Sequence, residues 1–436
     1  MLSFANTFKA LSVRNYRLYF IGQGISLIGT WMQRATMGWY VYRITGSVFL
    51  IGVMSFLSMV PSILISPFAG HWGDRWHRHC IIILTQVASY LQAAALAIVV
   101  LTEFAHSGFI LPLLILSLMQ GIIDAVDSPI RQSYVFDLVE SKAMLPNAIA
   151  MNSAMFNGAR LVGPTIAGML IAMFGEGSCF AINALSYIPV IFTLLMIQIK
   201  LKPVVAKSTS TLMNIVLGWK YSYRNFPIRF LISNIVIFTL FGMSYAVLLP
   251  VFAKDILGGD SRTLGYMMSL AGVGALSGAL YLASRKTLKG LSSLMISAGL
   301  VVSACLIIFS ISTTLILSMA LMLFVGFGLM MQMAGANTLI QSIIADDMRG
   351  RVLSLYTMSF MSVAPFGNLL AGFVSSRIGS KYTLMGAAGI CLLWALYGLN
   401  IIPRFVRNIN RMLVLNRNQA LYRPAVINIP ISTMEK

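Results

Sequence analysis

The sequence predicts an all-α integral membrane protein whose twelve transmembrane helices form two six-helix bundles. The chain has 436 residues, of which 58% are hydrophobic and 10% are charged, and its mean hydropathy is +0.84. Apolar segments of about 20 residues, long enough to cross a bilayer, recur along the chain. Sequence features also recur between its two halves. This composition excludes an ordinary soluble domain.

Apolar segments account for most of the chain. They predict spans at 17–42, 47–70, 80–102, 109–132, 146–172, 178–199, 228–252, 262–284, 291–310, 312–342, 352–376 and 380–403. The stretch between the sixth and seventh spans alternates apolar and basic residues, which predicts a helix lying in the membrane interface. The chain therefore divides into an amino-terminal bundle, an interfacial linker, a carboxy-terminal bundle and a basic tail, at 1–199, 200–227, 228–403 and 404–436. The tail either rests on anionic lipid or is disordered.

Membrane topology explains the net charge of +19. With the first residue inside and alternating spans, 24 of the 31 lysines and arginines fall in cytoplasmic segments. The positive-inside rule describes this asymmetry, so we expect no nucleic-acid partner. Both termini are predicted to be cytoplasmic, in a multi-pass protein of a bacterial inner membrane. The first 16 residues lack the short apolar core of a cleavable signal, so we expect the first span to act as the signal.

The sequence offers no pattern typical of catalysis, metal binding or cofactor binding. Its four cysteines form no Cys-x-x-Cys pair, so neither a disulfide framework nor a metal site is predicted. It has no Gly-rich nucleotide-binding loop with a lysine. We therefore expect that the protein is not an enzyme and needs no cofactor. Transport would then be driven by a gradient of an ion or of the solute itself.

Ionisable residues within the predicted spans cluster in the first half of the chain, and such residues mark functional sites by default. In the fourth span, five polar residues spaced three or four apart share one helix face: Ser117, Gln120, Asp124, Asp127 and Arg131. Asp127 and Arg131 can pair within the helix, and a structural role is favoured for them. Asp124 lies deeper in the span, so it is the better candidate for coupling or substrate binding.

Two further stripes carry arginines into the membrane. The stripe of the first span consists of Gln23, Ser26, Thr30 and Arg34, and that of the fifth consists of Ser153, Asn157, Arg160 and Pro164. From the rise per residue, Asp124 lies about 12 Å, Arg160 about 18 Å and Arg34 about 25 Å from the inner surface. Depth therefore favours Arg160 as the partner of Asp124, in a pair that is either structural or part of coupling.

The second half carries mostly neutral polar groups within its spans. We take Asn337, in the tenth span, as the substrate-site candidate on this side. Methionines surround these groups, and those that line a cavity would form an adaptable apolar wall, although most methionines in such a protein only pack. A charged half facing an apolar half suits an amphipathic or aromatic solute.

Residues 70–79, GHWGDRWHRH, hold the densest charge between two spans and predict a tight hairpin at the membrane surface. This hairpin is either a topology signal or a latch between conformations. In a latch, Gly70 would permit close approach of another helix and Asp74 would face a helix N-terminus. Arg75 and Arg78 would pair with acids on a neighbouring segment.

The fifth span contains a second candidate for conformational gating. Gly163 and Pro164 combine a small residue with a missing N–H, and Gly168 follows on the same helix, which predicts close packing and a bend. Gly367 and Gly372 repeat this pattern in the eleventh span. Parallel repeats of six helices place the substrate site between the halves, near the midplane.

These motifs resemble those of the major facilitator superfamily. Residues 70–79 resemble its loop between the second and third helices, with His77 in place of the usual Gly. GARLVGPTIAG resembles its antiporter motif, and Gln120-Gly121 match the fourth-span motif of proton-coupled members, in which Ser117 replaces an Arg.

Longer stretches resemble one branch of the superfamily. They are LSVRNYRLYFIGQGISLIGTWMQRATMGWYVYRITGS, DSPIRQSYVFDLVESKAMLPNAIAMNSAMFNGARLVGPTIAG and DDMRGRVLSLY. This is the branch of macrolide-efflux-like proteins, or transmembrane secretion effectors, which includes the enterobactin exporter. The resemblance covers nearly all of residues 7–405.

The resemblance implies two bundles that rock about a central cavity. Our leading hypothesis is a monomeric secondary transporter that exports an amphipathic small molecule, siderophore or drug-like, across the inner membrane by proton antiport and alternating access. Alternatives within transport are a carrier resembling a lysophospholipid flippase and a small-molecule importer. A membrane scaffold or receptor is the alternative outside transport, and it would not need the polar stripes.

Overall fold

The structure is a computed structural model. It describes the backbone of residues 9–75, 77–105, 109–139, 144–198, 211–285, 287–345 and 348–421. The side chains at 67, 70–75, 211–215, 410 and 414–421 lie outside this description.

Long helices make up both halves of the chain. The first half contains α1 (Arg14–Thr45), α2 (Val48–Arg75), α3 (Arg78–Leu101), α4 (Leu111–Leu138), α5 (Leu145–Phe174) and α6 (Glu176–Leu195). A shorter helix, α7 (Thr211–Arg224), lies in the linker. The second half contains α8 (Phe226–Ile256), α9 (Ser261–Ser284), α10 (Leu291–Ile311), α11 (Leu315–Ile343), α12 (Arg349–Ile378) and α13 (Ser380–Leu421).

Ten helices of the described chain are long and apolar enough to cross a membrane by composition alone. The two remaining long helices, α1 and α5, have 32 and 30 residues. They carry the predicted polar stripes, whose arginines and amides lower their hydropathy. With them, the long helices agree with the predicted twelve-helix membrane fold.

Successive helices connect at alternating ends of the molecule. The end that carries the start of α1, here called the basic face, has connections at 76–77, 139–144, 196–225, 285–290 and 344–348. The other end, here called the opposite face, has connections at 46–47, 102–110, 175, 257–260, 312–314 and 379. The charge distribution predicts that the basic face is cytoplasmic.

The predicted repeat is visible in how glycines bring helices together within each bundle. A Cβ on Gly163 of α5 would lie 2.7 Å from the Cβ of Trp31 on α1. One repeat later, a Cβ on Gly367 of α12 would lie 2.6 Å from the carbonyl oxygen of Leu240 on α8. Both distances are too short for any side chain, so glycine is required at equivalent places in the two bundles.

The two bundles meet through α5 with α9 and through α2 with α12. A Cβ on Gly168 would lie 2.7 Å from the carbonyl oxygen of Ser261, and one on Gly372 would lie 2.9 Å from that of Val48. Small residues allow helix backbones to approach this closely in a membrane. These contacts lie in the helix halves nearest the opposite face, so the bundles are closed against each other there.

The seventh span departs from the regular helix predicted for it. Helix α8 is π-helical at Phe238–Gly242 and again at Phe252–Ile256. A π segment inserts one residue into a helical turn and is frequent at functional sites. The insertion rotates the side chains that follow it, and an apolar sequence does not show where this occurs.

Two helices extend beyond the predicted spans. Helix α2 continues to Arg75 and α3 begins at Arg78, so most of the predicted 70–79 hairpin is helix and the connection itself is residues 76–77. Helix α13 runs through Pro403 to Leu421, so no helix end separates a tail at residue 404. Beyond Pro403, the charged side chains of Arg404, Arg407 and Arg411 are exposed while the backbone remains helical.

Candidate functional site

An ion pair between α1 and α4 lies at the centre of the candidate site. Nη2 of Arg34 is 2.9 Å from Oδ2 of Asp124, and the amide of Gln120 donates to Oδ1 of Asp124 at 2.9 Å. The side chains of Arg34 and Asp124 are 50% and 31% exposed. Charged groups inside a membrane protein face the interior or an aqueous cavity. The pair therefore lies on the wall of a cavity between the bundles.

The prediction that Arg160 is the better partner for Asp124 was wrong. The predicted difference in depth between Arg34 and Arg160 was about 7 Å, little more than one helical turn. A long arginine side chain spans such a difference, so depth along the helix does not decide which arginine reaches the carboxylate. The structure brings Arg34 to Asp124 and holds Arg160 elsewhere.

Trp31 links the two arginines of the site. The guanidinium carbon of Arg34 lies 5.2 Å and that of Arg160 lies 5.6 Å from the centroid of the Trp31 ring. Phe156 meets the same ring edge-on at 5.6 Å. Cation–π contact holds a guanidinium in place without neutralising its charge. No carboxylate among the described residues lies within salt-bridge distance of Arg160, so Arg160 is a positive charge beside an aromatic wall.

Asp127 and Arg131 form a separate ion pair within α4. Asp127 is 6% exposed, and its Oδ1 accepts hydrogen bonds from Thr85 at 2.7 Å and from Gln86 at 3.1 Å. These bonds tie α4 to α3 inside the amino-terminal bundle. The geometry supports the structural role favoured for this pair.

The second half places its candidate polar groups in two environments. Asn337 of α11 accepts a hydrogen bond at 3.2 Å from Gln341, which is exposed. Gln332, one turn and a half earlier, is 1% exposed and bonds Asn234 and the Met295 carbonyl oxygen. Asn337 is therefore available to a solute, whereas Gln332 holds helices together.

From the packing of the described residues, we infer that the cavity opens toward the basic face. A Cβ on Gly158 of α5 would meet no atom within 4 Å, and Gln132 at the end of α4 is exposed. Gln341, at the facing end of α11, is also exposed. Since the interbundle glycine contacts close the opposite-face half, access to Arg34 and Asp124 runs from the basic face.

Polar contacts reinforce closure at the opposite face. The hydroxyl of Tyr42 on α1 donates to the carboxylate of Asp255 on α8, and Nζ of Lys254 lies 5.6 Å from the Tyr42 ring centroid. Beside them, Nε of Arg43 is 2.6 Å from Oε1 of Glu176. A shallow pocket of about 400 Å³, lined in part by Arg43 and Glu176, opens outward from this point. These contacts fasten α1 to α8 and to α6 at the opposite face.

The structure describes the predicted latch at the basic face only in part. Arg78 is 3.1 Å from Oδ2 of Asp137 at the end of α4, the kind of contact that the latch hypothesis predicts for it. Next to it, Nδ1 of His79 is 2.6 Å from the Tyr134 hydroxyl. The side chains of Gly70, Asp74 and Arg75 lie outside the described residues.

The gating candidates of α5 contact two other helices, α1 and α9. Gly163 abuts α1, Gly168 abuts the start of α9, and the carbonyl oxygen of Pro164 would lie 2.7 Å from a Cβ on Gly265 of α9. This part of α5 therefore joins a contact within its own bundle to a contact between bundles.

The sequence reasoning missed the aromatic part of the site. Trp31 lies three residues before Arg34 and Phe156 four residues before Arg160, which are the spacings that bring helical side chains together. These spacings were the available signal. The described residues contain no group of three His, Cys, Asp or Glu side chains that could hold a metal ion.

Comparison with known proteins places the chain among transporters. The model of the transmembrane secretion effector family matches residues 5–417. A staphyloferrin A transporter of Staphylococcus aureus is 25% identical over 397 residues, which cover 88% of this chain and 96% of that protein. The multidrug efflux pump Tap of Mycolicibacterium fortuitum is 22% identical over 369 residues, which cover 84% and 88%. The solved structure of the nucleoside transporter NupG, 11% identical, matches with a TM-score of 0.70 over 89% of this chain and 99% of that one.

Proposed function

Because this chain belongs to the transmembrane secretion effector family of the major facilitator superfamily, we propose that it exports an amphipathic small molecule by proton antiport and alternating access. Family and relatives make it a membrane transporter and not an enzyme. Its relatives include a siderophore transporter and a drug efflux pump. Substrate, direction and coupling are the parts that we propose.

The observation that carries the proposal is the ion pair of Arg34 and Asp124 in the cavity wall. A carboxylate paired with arginine stays ionised, whereas an unpaired carboxylate in an apolar setting takes up a proton. If the pair opens in one conformation and closes in the other, Asp124 binds a proton in one state and releases it in the other. Antiport requires that solute and proton do not occupy the site together, so in this proposal the solute binds at Arg160 while Asp124 is ionised and paired with Arg34, and it leaves before the pair opens and Asp124 takes up a proton.

The surroundings of the pair support an anionic, partly aromatic solute. Arg160 offers a positive charge with no carboxylate partner among the described residues, and Trp31 and Phe156 offer an aromatic surface beside it. An arginine recognises carboxylate geometry with two parallel N–H donors. The proposed substrate class is therefore an amphipathic carboxylate, which includes carboxylate siderophores and acidic drugs.

The proposed direction rests on topology. The positive-inside rule orients the basic face toward the cytoplasm of a bacterial cell, and the cavity opens to that face. This conformation would load a cytoplasmic solute. A proton would enter from the opposite face after the contact of Tyr42 and Asp255 opens.

The test uses proteoliposomes loaded with dansyl-glutamate, an amphipathic aromatic carboxylate, and given an imposed pH gradient. The parent is expected to move dansyl-glutamate against its concentration gradient, and Asp124→Asn is expected to lose this gradient-driven transport by about tenfold or more, within the usual range of coupling free energies. Binding of dansyl-glutamate should persist in the variant. Asp260→Asn is the matched control. Asp260 is the exposed N-cap of α9, and asparagine caps a helix about as well as aspartate, so the same chemical change is made away from the site.

Several results contradict the proposal. If Asp124→Asn responds to the gradient like the parent, Asp124 is only the structural partner of Arg34. If ethidium moves and dansyl-glutamate does not, the carboxylate substrate class is wrong. If a fluorescent lysophospholipid is the solute that moves, the chain is a lipid carrier. If dansyl-glutamate accumulates on the side to which the protons flow, the chain is an importer.

A further inference from the structure

A ladder of buried polar side chains runs through the amino-terminal bundle, away from the cavity wall. Nearest the opposite face, its members on α1, α3 and α6 form hydrogen bonds with one another. The amide of Asn183 donates to Gln33 at 2.7 Å, and that of Gln33 donates to Gln92 at 3.2 Å. Gln92 in turn donates to the Leu116 carbonyl oxygen at 3.1 Å. This part of the ladder is a closed network of the kind that fixes helix packing.

The part of the ladder nearer the basic face is built differently. Tyr19, Gln23 and Gln86 are 0%, 1% and 1% exposed, yet the Tyr19 hydroxyl and the Oε1 atoms of Gln23 and Gln86 have no hydrogen-bond partner among the described residues. The same is true of Nε of Arg131. Buried polar atoms in native proteins are paired with protein or with ordered water, so each exception requires an explanation.

These unpartnered atoms belong to one region between α1, α3 and α4. Gln86 donates to Asp127 at 3.1 Å, and Arg131 pairs with the same carboxylate. Tyr19 lies within electrostatic reach of Asp127 and Arg131. Gln23 follows Tyr19 by one helical turn on the same face of α1.

The chemistry of the region favours water over a metal cation. Arg131 already compensates the charge of Asp127, so a further positive charge would be repelled. The unpartnered atoms include acceptors, the two amide oxygens, and donors, the Tyr19 hydroxyl and the Arg131 N–H. A buried water needs two to four such partners, and it can serve donors and acceptors at once.

We propose that ordered water fills this region and carries protons between Asp124 and the basic face, separately from the solute cavity. Asp127 lies one turn from Asp124 on α4, and at the other end Tyr134 bonds His79 beside the basic face. Each water or hydroxyl oxygen along such a chain releases one proton as it accepts another, while the amide oxygens only hold the water in place, so no net charge stays in the bundle. Chains of water and polar side chains carry protons in this way. The relay rests on the proton antiport proposed above, whereas the water site does not.

Hydroxyl-radical footprinting tests the water site without any solute. Ordered water beside Tyr19 should make this fully buried ring reactive in the parent. Gln86→Met and Gln23→Met each remove an amide oxygen, so the labelling rate of Tyr19 should fall severalfold. Gln92→Met is the matched control on the same helix, and it should leave Tyr19 labelling unchanged. A parent in which Tyr19 is unlabelled has a dry region, and the proposal is then overturned.

Proton flux tests the relay. In proteoliposomes containing a pH-sensitive dye, Gln86→Met and Gln23→Met should slow gradient-driven exchange of the probe that the parent transports, dansyl-glutamate or ethidium, by about tenfold. Counterflow of the same probe between equal pH values should keep the parental rate, because it moves no net proton. Equal loss of both activities would show a structural role and overturn the relay. A parent that ignores the pH gradient refutes antiport and relay together, and Tyr19 labelling still decides the water site.

Discussion

At the scale of single residues, the site is defined by which charges are compensated. Arg34 and Arg160 both contact Trp31, but among the described residues only Arg34 has a carboxylate beside it. The sequence could predict that these residues line the interior, because helical spacing places each on a polar stripe. It could not predict which arginine meets Asp124, since side-chain reach exceeds the depth differences that spacing resolves.

Arg160 is expected to bind the anionic end of the solute. Arg160→Gln should raise the KM for dansyl-glutamate by about tenfold, because a hydrogen bond to a charged group contributes about 1.5–3 kcal/mol. Arg160→Lys should recover only part of this, since a lysine lacks the planar fork that stacks on Trp31 and binds a carboxylate at two points. Arg229→Gln, at the basic face, is the control. An unchanged KM in Arg160→Gln would exclude Arg160 from solute binding.

Asp127 and Asp137 give a contrast between buried and exposed ion pairs on one helix. Asp127→Asn leaves the charge of Arg131 buried and unpaired, so the expected loss of stability is about 3–5 kcal/mol. Asp137 is 37% exposed in its pair with Arg78, so Asp137→Asn should cost no more than about 1 kcal/mol. Thermal unfolding of the detergent-solubilised protein measures both. Equal melting temperatures for the two variants would contradict the structural role assigned to Asp127.

At the scale of helices, glycine positions decide how elements move. Spans and polar stripes were predictable because apolar length and a period near 3.6 residues are properties of the sequence. The π segments of α8 were not, because an inserted residue leaves no trace in a uniformly apolar stretch. The linker helix α7 was predicted as a helix; its Trp219 and Tyr223 are 61% and 63% exposed, which suits aromatic side chains at a membrane interface.

Three glycines of α5 should respond differently to a larger side chain. Gly168→Val forces the bundles apart, because its Cβ would lie 2.7 Å from the Ser261 carbonyl oxygen; cysteine labelling from the opposite face should increase. Gly163→Leu displaces α1 within the same bundle, so transport should fall without that increase. Gly158→Leu, which enters open space, is the control on the same helix and should insert and fold normally.

The labelling pattern decides whether α5 links the two contacts. Alternating access that is unaltered in both Gly163→Leu and Gly168→Val, measured by labelling from each side of the membrane, would remove this helix from the conformational cycle. Loss of folding in Gly158→Leu would mean that α5 tolerates no large residue, and the comparison would then be made with alanine at all three positions.

At the scale of the whole molecule, the contacts that join the bundles lie toward one face. Gly168 meets α9, Gly372 meets α2, and Tyr42 bonds Asp255, all in the half nearest the opposite face. At the basic face, the described ion pair of Arg78 and Asp137 lies within one bundle. A transporter that alternates needs these two faces to exchange roles, so each closing contact biases a two-state equilibrium. The repeat in the sequence predicted two bundles, but one sequence serves both states and does not show which of them is the more stable.

Tyr42→Phe should shift this equilibrium toward opening at the opposite face. The substitution keeps the aromatic ring beside Lys254 and removes only the hydroxyl that bonds Asp255. A hydrogen bond to a charged group is worth about 1.5–3 kcal/mol, so the ratio of open to closed molecules should rise by about tenfold or more. Spin labels at positions 102 and 313 should move apart at the opposite face, and labels at 132 and 341 should approach at the basic face. These four positions are exposed.

Tyr356→Phe is the matched control for this shift, because the hydroxyl of Tyr356 bonds the Met333 carbonyl oxygen inside the carboxy-terminal bundle. Removing it should leave both interbundle distances unchanged.

The proposed latch acts at the other end of the molecule, the basic face. Asp74→Asn should leave the protein inserted and reduce transport, and it should favour the conformation whose cavity is open to the basic face. If Tyr42→Phe leaves the distance distributions of the parent intact, the closed opposite face is held by helix packing at Gly168 and Gly372 alone, and the bond between α1 and α8 has no part in gating.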